Sequence, residues 1–480
     1  MKSLFILYLS LISFLHSEAL LSQHNFGALS SNYTPTTNVY INPTSISNSK
    51  TWLDINFIGL DIFLNNSLVY LYDQSILNAI QGKYETSILF DTRRKNTALF
   101  AKTFVAGPSF TLNFDDHAFG IGISNRSYIG VQKIPQFMAR FIQNGISDYS
   151  RQHGYNYQLS NVKIAAFNFS EITASYSYTF FKKRKELMIG GLTFKKLYST
   201  FGAAANISDA SFNVRNEQEL SLFNFNTDLM LSRQARFDPK GGFGLDLGFT
   251  YQKMTSTVSN YKPHTKAGGC NYTPYKYKIG ISIIDIGRVK FAEESINYAG
   301  YNFGPYEWQN YDSIQLNQDN QLDYFMIQEE NINMGNVTKP TNIQLPTFLS
   351  VQFDYNLLGS VLYINSTIVQ GIPSSMSKFG IRHANSFSLT PRIETKWLDF
   401  ALPFSLYEYK QPQLGLSLRL GPIVIGSDKL VNWLINTDVY GANFYFHAKI
   451  PLFSNPSCKE IEKRKSKFKK KVSNGLKCSF

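Results

Sequence analysis

Apolar and polar residues alternate along much of this chain with a period of two. In residues 109–114, Phe110, Leu112 and Phe114 share one face, and Ser109, Thr111 and Asn113 share the other. In 118–126, Phe119, Ile121 and Ile123 oppose Gly120, Gly122, Ser124 and Arg126. The same contrast recurs at 173–180, 244–251 and 350–357. It is clearest near the C-terminus, where Leu414, Leu416, Leu418 and Leu420 oppose Gln413, Gly415, Ser417 and Arg419. In 442–452, Phe444, Phe446 and Ile450 oppose Asn443, Tyr445, His447 and Lys449. Successive side chains of a strand point to opposite faces, so each segment predicts a strand with one apolar and one polar side.

Two settings give such strands. A soluble antiparallel sheet has one face on a core and one in water; a transmembrane barrel has one face in lipid and one in an aqueous lumen. Segments 387–397 and 442–452 run to eleven residues each, the length a bilayer demands of a tilted strand. The polar faces are small and hydrogen-bonding, with opposite charges interspersed: Glu394 stands between Arg392 and Lys396. Tyr70, Tyr72, Trp52 and Trp397 near strand ends suit an interfacial girdle. These features favour an all-β, antiparallel transmembrane barrel over a secreted sandwich or propeller. About 14 strands are expected, within about 12–16. Tight turns fall at 115–117 and 182–185, and longer connections at 72–97, 129–170, 199–240, 253–275 and 292–345. A few short helices are expected in long loops; residues 135–146 would form one, with Phe137, Met138, Phe141 and Ile142 on one side.

The chain has 480 residues, 15% aromatic and 17% charged, with three Cys. That aromatic load excludes a disordered chain, and three Cys exclude a disulfide-stapled mini-domain. Lys2 followed by the apolar run 4–15 and then Ser17, Glu18 and Ala19 reads as an export signal, cleaved after Ala19 or Ser22. The expected division is a signal peptide over 1–22, a periplasmic or plug segment over 23–50, the barrel over 51–455 and a basic flexible tail over 456–480. Residues 457–480 carry nine Lys/Arg and two Glu, net +7 of the chain's +13. The tail is either attracted to phosphate-rich lipid or anionic polymer or is a solubilising end. A disulfide between Cys458 and Cys478, which bracket it, is open.

Further short motifs follow one another in order. Asn42-Pro43 precedes the first long strand, and Gly107-Pro108-Ser109-Phe110 opens a hairpin; GGFGLDLGFTYQ (241–252) and YKIGISIIDIGRVKF (277–291) come next, and GPIVIGSDKLVNWL (421–434) and YGANFYFHAKIPLF (440–453) close the chain. On these the chain resembles DUF5723, a Bacteroidetes outer-membrane β-barrel family of unknown function. It is more distantly similar to FadL-type hydrophobic-compound transporters and to the PorV-like barrels of type IX secretion. The resemblance covers roughly 40–455 and implies a barrel in the bacterial outer membrane, with no catalytic residues.

No G-x-S-x-G elbow, H-E-x-x-H or P-loop occurs, no metal-ligand spacing is visible, and the seven His are scattered. Neither enzymatic chemistry nor a cofactor is expected, and export leaves no nucleic-acid partner. Charged residues on polar faces are the candidate lumen lining: Asp246, Asp354, Arg392, Glu394, Lys396, Arg419, His447 and Lys449. Asp246 and Asp354 are expected to pair with Arg392, Lys396 or Arg419, or else to line a permeation path. Besides outer-membrane lipid, two kinds of partner suit such a barrel. One is a small or hydrophobic solute, which predicts an incompletely filled lumen with segment 20–50 as a plug. The other is a secretion, motility or surface protein docked on the long loops of a structural barrel, which predicts a packed lumen.

Overall fold

A computed structural model describes residues 25–458 apart from 83–87, 92–95, 139–140, 142–152, 233–238, 260, 266–269, 271, 292–294, 304, 310–340, 374–376 and 457. Fourteen antiparallel staves, numbered in chain order, form one sheet. The first five are β1 (Leu53–Asn66), β2 (Asn96–Phe114), β3 (His117–Pro135), β4 (Asn156–Lys183) and β5 (Glu186–Val214). Three interrupted staves follow. β6 joins Glu219–Ser232 to Gly242–Met254, and β7 runs Tyr275–Phe291 and on through Ser295–Phe303 and Tyr306–Gln309. β8 joins Thr341–Gln344 to Phe348–Leu358. Then come β9 (Leu362–Gly371), β10 (Ser386–Glu394), β11 (Leu398–Ala401 with Phe404–Tyr407) and β12 (Gln411–Leu414 with Leu416–Leu420). β13 (Ile423–Ser427) and β14 (Gly441–Leu452) complete the set. Each stave pairs with the next, and β14 pairs with β1 from Leu53↔Leu452 onward, closing the barrel. Closure removes the unpaired edges that an open sheet would present.

The faces are those of a barrel built for lipid. Phe119, Ile121 and Ile123 of β3, Ile172 and Phe180 of β4, Leu192 and Phe194 of β5, Leu247 and Phe249 of β6 and Ile279 and Ile281 of β7 all project outward, exposed. Their sequence neighbours Ser124, Arg126, Glu171, Thr193, Lys195 and Asp246 are buried in the lumen. An apolar exterior around a charged interior inverts a water-soluble fold and fits a hydrocarbon solvent. No helix among the described residues is long and apolar enough to cross a membrane.

Several expected connections are strand. The segment expected as a loop over 129–170 is largely taken up by the ends of β3 and β4, and that over 199–240 by β5 and the first part of β6. β4 and β5 reach 28 and 29 residues and stand well beyond the apolar belt. The alternating residues 109–114 are the end of one long strand, β2. In the expected helix over 135–146, Gln136, Phe137 and Met138 are helical, and Phe137 and Met138 pack with Phe141 against Leu159, Phe212 and Leu220; much of the remainder lies outside the described residues.

The tight turns Asp115–Asp116 and Arg184–Lys185 and the 255–274 connection lie at the same end as both chain ends of the barrel, while the other longer connections lie at the opposite end. Breaks within staves have local causes. Pro403 interrupts β11, and opposite it the Gly415 N–H donates to the Pro403 carbonyl, 2.8 Å. A side chain at Gly415 would meet the Ser427 carbonyl oxygen at 2.6 Å, so the close approach requires glycine.

Candidate functional site in the lumen

The lumen is occupied by the chain itself. Residues 25–50 lie inside the barrel as three short turns, Phe26–Leu29, Pro35–Asn38 and Pro43–Ile46. Of these residues only Lys50 carries a charge, yet the wall around them is rich in charges of both signs. Five carboxylates accept from the segment. Asp428 takes the Phe26 N–H at 2.6 Å, and Asp61 takes Asn25 Nδ2 at 3.2 Å. Asp399 takes Ser31 Oγ at 2.6 Å, and Asp54 takes Thr36 Oγ1 at 2.6 Å. Glu394 takes Asn32 Nδ2 and Lys50 Nζ, both at 2.7 Å. A buried carboxylate is tolerated only when its oxygens are satisfied, so these contacts make the segment part of the wall's electrostatic structure.

Seven of the eight candidate lining residues point inward and are buried. Arg392 forks onto Asp354, 2.8 Å on both prongs, and its Nε donates to Glu394 at 3.1 Å. Arg419 forks onto Asp399 (2.6 and 2.7 Å) and stacks on Tyr33 of the inner segment at 4.5 Å. Lys449 reaches Asp54 at 2.9 Å, and His447 reaches Asp61 at 2.9 Å. Asp246 pairs with Lys195 of β5 at 2.8 Å, not with the expected Arg392, Lys396 or Arg419. Lys396 is outside the lumen: β10 ends at Glu394, and Lys396 sits exposed in the following turn over the Phe453 ring, 4.9 Å.

The densest charge cluster was largely missed by the sequence reading. Successive staves contribute one charge each: Arg126 (β3), Glu171 (β4), Lys195 (β5), Asp246 (β6) and Asp285 (β7). Arg126 forks onto Asp285 at 2.7 and 3.0 Å and also binds Glu171. Lys195 bridges Asp285 (2.6 Å) and Asp246 (2.8 Å). A β-bulge brings Asp285 inward: the register shifts between Ile283 and Ile286, Asp285 has φ 61°, and Ile284 and Asp285 are both buried. Two motifs, GLDLG and ISIIDIG, thus meet in space, and the Asp285 N–H donates to Asp246 at 2.8 Å. The available signal was position, since Arg126 already stands on a polar face by alternation.

Beyond this cluster, away from the chain ends, the lumen turns apolar. Phe167, Phe169, Leu197, Met230, Val289 and Phe291 line it, and Phe379 and Ile381 are tucked into it from the segment between β9 and β10. That segment is held by Arg382, which forks onto Glu408. Gly130 leaves room for it, because a Cβ there would lie 2.7 Å from Ile381. One cavity of about 30 Å³ lies among Asn25, Asp61, Lys102, Arg126 and Asp285, and another of about 40 Å³ among Asn32, Asn42, Asn48, Gln252 and Gln352. Such volumes hold a water or two.

At the chain-end side, the 255–274 connection folds across the base of the inner segment. Tyr261 Oη donates to Asn48 at 2.8 Å, and His264 Nε2 donates to the Ser49 carbonyl at 2.9 Å; burial lowers the pKa of His264. Cys270 is joined to Cys458, 188 residues on, so Cys458 does not pair with Cys478, which lies outside the described residues along with residues 459–480 and the expected signal 1–22. Reduction, or Cys270→Ser, is expected to loosen this cap. Amide hydrogen exchange in residues 44–51 should then rise by roughly tenfold or more, as when a local opening is made easier, with exchange in the β3–β4 ladder unchanged. Equal exchange before and after reduction would mean that the cap does not hold the segment.

Among solved structures the chain is similar to barrels. A TodX monoaromatic hydrocarbon channel deletion mutant aligns at 11% identity and TM-score 0.40, over 88% of this chain and 95% of that one. The CymD monoaromatic hydrocarbon channel aligns at 9% identity and TM-score 0.36, over 91% and 98%. The translocator domain of the autotransporter NalP from Neisseria meningitidis aligns at 6% and 0.33, over 88% and 96%. At these values the likeness says nothing of solute or partner. Comparison with curated proteins gave no match. The family of unknown function DUF5723 matches residues 43–428, a span that takes in the last turn of the inner segment, the five-stave charge cluster and the wall as far as Asp428, and the chain belongs to that family.

Proposed function

We propose that the protein is an outer-membrane barrel held closed by inserts of its own chain, and that its opened lumen passes a small apolar solute. The observation that carries this reading is what does the filling. A fourteen-stave wall encloses more space than its side chains occupy, and the remainder is taken by residues 25–50 from one end and by the Phe379–Ile381 tuck from the other. Both inserts are held by non-covalent contacts that can be exchanged for water. The apolar half of the lumen supplies dispersion contacts to an apolar solute. Arg382→Ala removes the fork that holds the tuck. In proteoliposomes it is expected to speed entry of a small fluorescent hydrocarbon several-fold over wild type. Unchanged entry in a correctly folded variant would count against passage through this lumen.

The two small cavities favour a second reading, a structural barrel that docks a secretion or surface protein. Its docking face would be the wall of β4 and β5 beyond the apolar belt. Cross-linking in whole cells to one recurrent partner, together with unchanged solute entry in the Arg382→Ala variant, would select it.

A further inference from the structure

On the outer surface of β3 to β7 the apolar belt gives way to a polar shelf, at the end of the barrel remote from both chain ends. Cross-strand register puts Lys196 of β5 opposite Phe243 of β6, and Phe243 opposite Arg288 of β7. Phe243 is an outward, exposed residue, so its partners share that face. Lys196 lies over the Phe243 ring at 4.4 Å, and Arg288 and Lys290, two residues further along β7, are both exposed. Among the described residues no carboxylate pairs with Arg288 or Lys290. Beside them Asn125, Ser127, Asn168 and Ser170 form an outward hydrogen-bonding cluster, with Asn168 Nδ2 donating to Asn125 and Ser127, both at 2.8 Å. Phe194, Leu247 and Ile281 continue the same faces into the belt.

We propose that this shelf binds the phosphate-bearing headgroup of an anionic lipid in the leaflet remote from the chain ends. Continuity with the belt selects lipid as the occupant, since acyl chains covering Phe194, Leu247 and Ile281 bring their headgroups to the height of Lys196 and Arg288. Three cations to which no described carboxylate on that face is paired select a phosphate, and charges at a bilayer surface attract anionic lipid in this way. The neighbouring amides and hydroxyls add donors for the headgroup's oxygens. The inference rests on the barrel lying in a membrane and is independent of what passes its lumen.

The test uses the full chain purified in a neutral detergent, with heat-modifiability on gels reporting both folding and the barrel reading itself. The probe is a bisphosphorylated glucosamine-disaccharide lipid, compared with its dephosphorylated form and counted by native mass spectrometry. Wild type should retain the phosphorylated lipid at least tenfold more than the dephosphorylated one. The combined Lys196→Gln, Arg288→Gln and Lys290→Gln variant should lose that preference. A control carrying Lys183→Gln, Arg184→Gln and Lys185→Gln, at the opposite end of the staves, should keep it. Equal retention of both lipids by wild type, equal loss in the shelf and control variants, or a protein bound to the shelf in place of lipid would each overturn the proposal. Failure of the heat-modifiability shift would instead overturn the membrane reading on which it rests.

Discussion

Deleting residues 25–50 is expected to turn an insulating barrel into a conducting, cation-selective pore. The segment is nearly neutral, and it satisfies Asp54, Asp61, Glu394, Asp399 and Asp428 mainly with backbone, amide and hydroxyl donors. Without it those oxygens must find water, and a watered lumen follows. Four of the five acids keep a basic neighbour on the wall: Lys449 for Asp54, His447 for Asp61, Arg392 for Glu394 and Arg419 for Asp399. Asp428 takes its described hydrogen bonds from Phe26, Gly27 and Tyr445, none of them a cation. Lys50 leaves with the segment, so the exposed lining becomes more negative and favours cations. Planar-bilayer recording should show stepwise currents for the deletion and none for the full chain. If the folded deletion stays silent both alone and combined with Arg382→Ala, the wall side chains close the lumen unaided.

Arg126→Met is expected to be the most destabilising single substitution in the wall, costing about 3–5 kcal/mol. Arg126 is buried and holds two carboxylates, Asp285 on both guanidinium prongs and Glu171. Its loss leaves three buried acids, Glu171, Asp246 and Asp285, with Lys195 as the remaining cation of the five-stave cluster. Methionine fills the volume and supplies no charge. Urea unfolding from lipid vesicles measures the loss. Adding Glu171→Gln should restore part of it, since the unpaired charge rather than the missing contact causes most of the cost. A loss below about 1 kcal/mol would mean that water reaches the cluster and screens it.

The alternation of faces carried most of the architecture, because lipid on one side and protein on the other impose a strict contrast at every residue. Where that contrast lapses the reading failed. Residues 203–206 of β5 are Ala-Ala-Ala-Asn and show no difference between faces, although their ladder to β4 continues unbroken. Beyond the belt the outer face no longer needs apolar side chains, so the strands there were read as loops. Asp285 was missed for the opposite reason: a bulge puts two consecutive side chains into the lumen, and a strict period of two assigns one of them outward. Lys396 was misplaced because the period runs on past Glu394 while the strand does not. The inner segment has no period at all. Its Asn, Ser and Thr residues suit a periplasmic segment as well as a plug, and only the acids across the lumen reveal them as donors.

The inner segment's partners also bear on how the barrel is assembled. Phe26 binds Asp428, 402 residues later, and Asn25 meets His447 across 422 residues. The part of the chain made first therefore finds some of its contacts on the part made last. Non-local contacts of this span make folding slow, and the segment gains these partners only as the seam between β1 and β14 closes. Sealing the seam around a resident segment is topologically simple, whereas threading that segment into a finished cylinder is not. The segment then acts during biogenesis as a gathering thread that ties the last staves to the first, and a chain lacking it should insert and close more slowly even where the finished wall is sound.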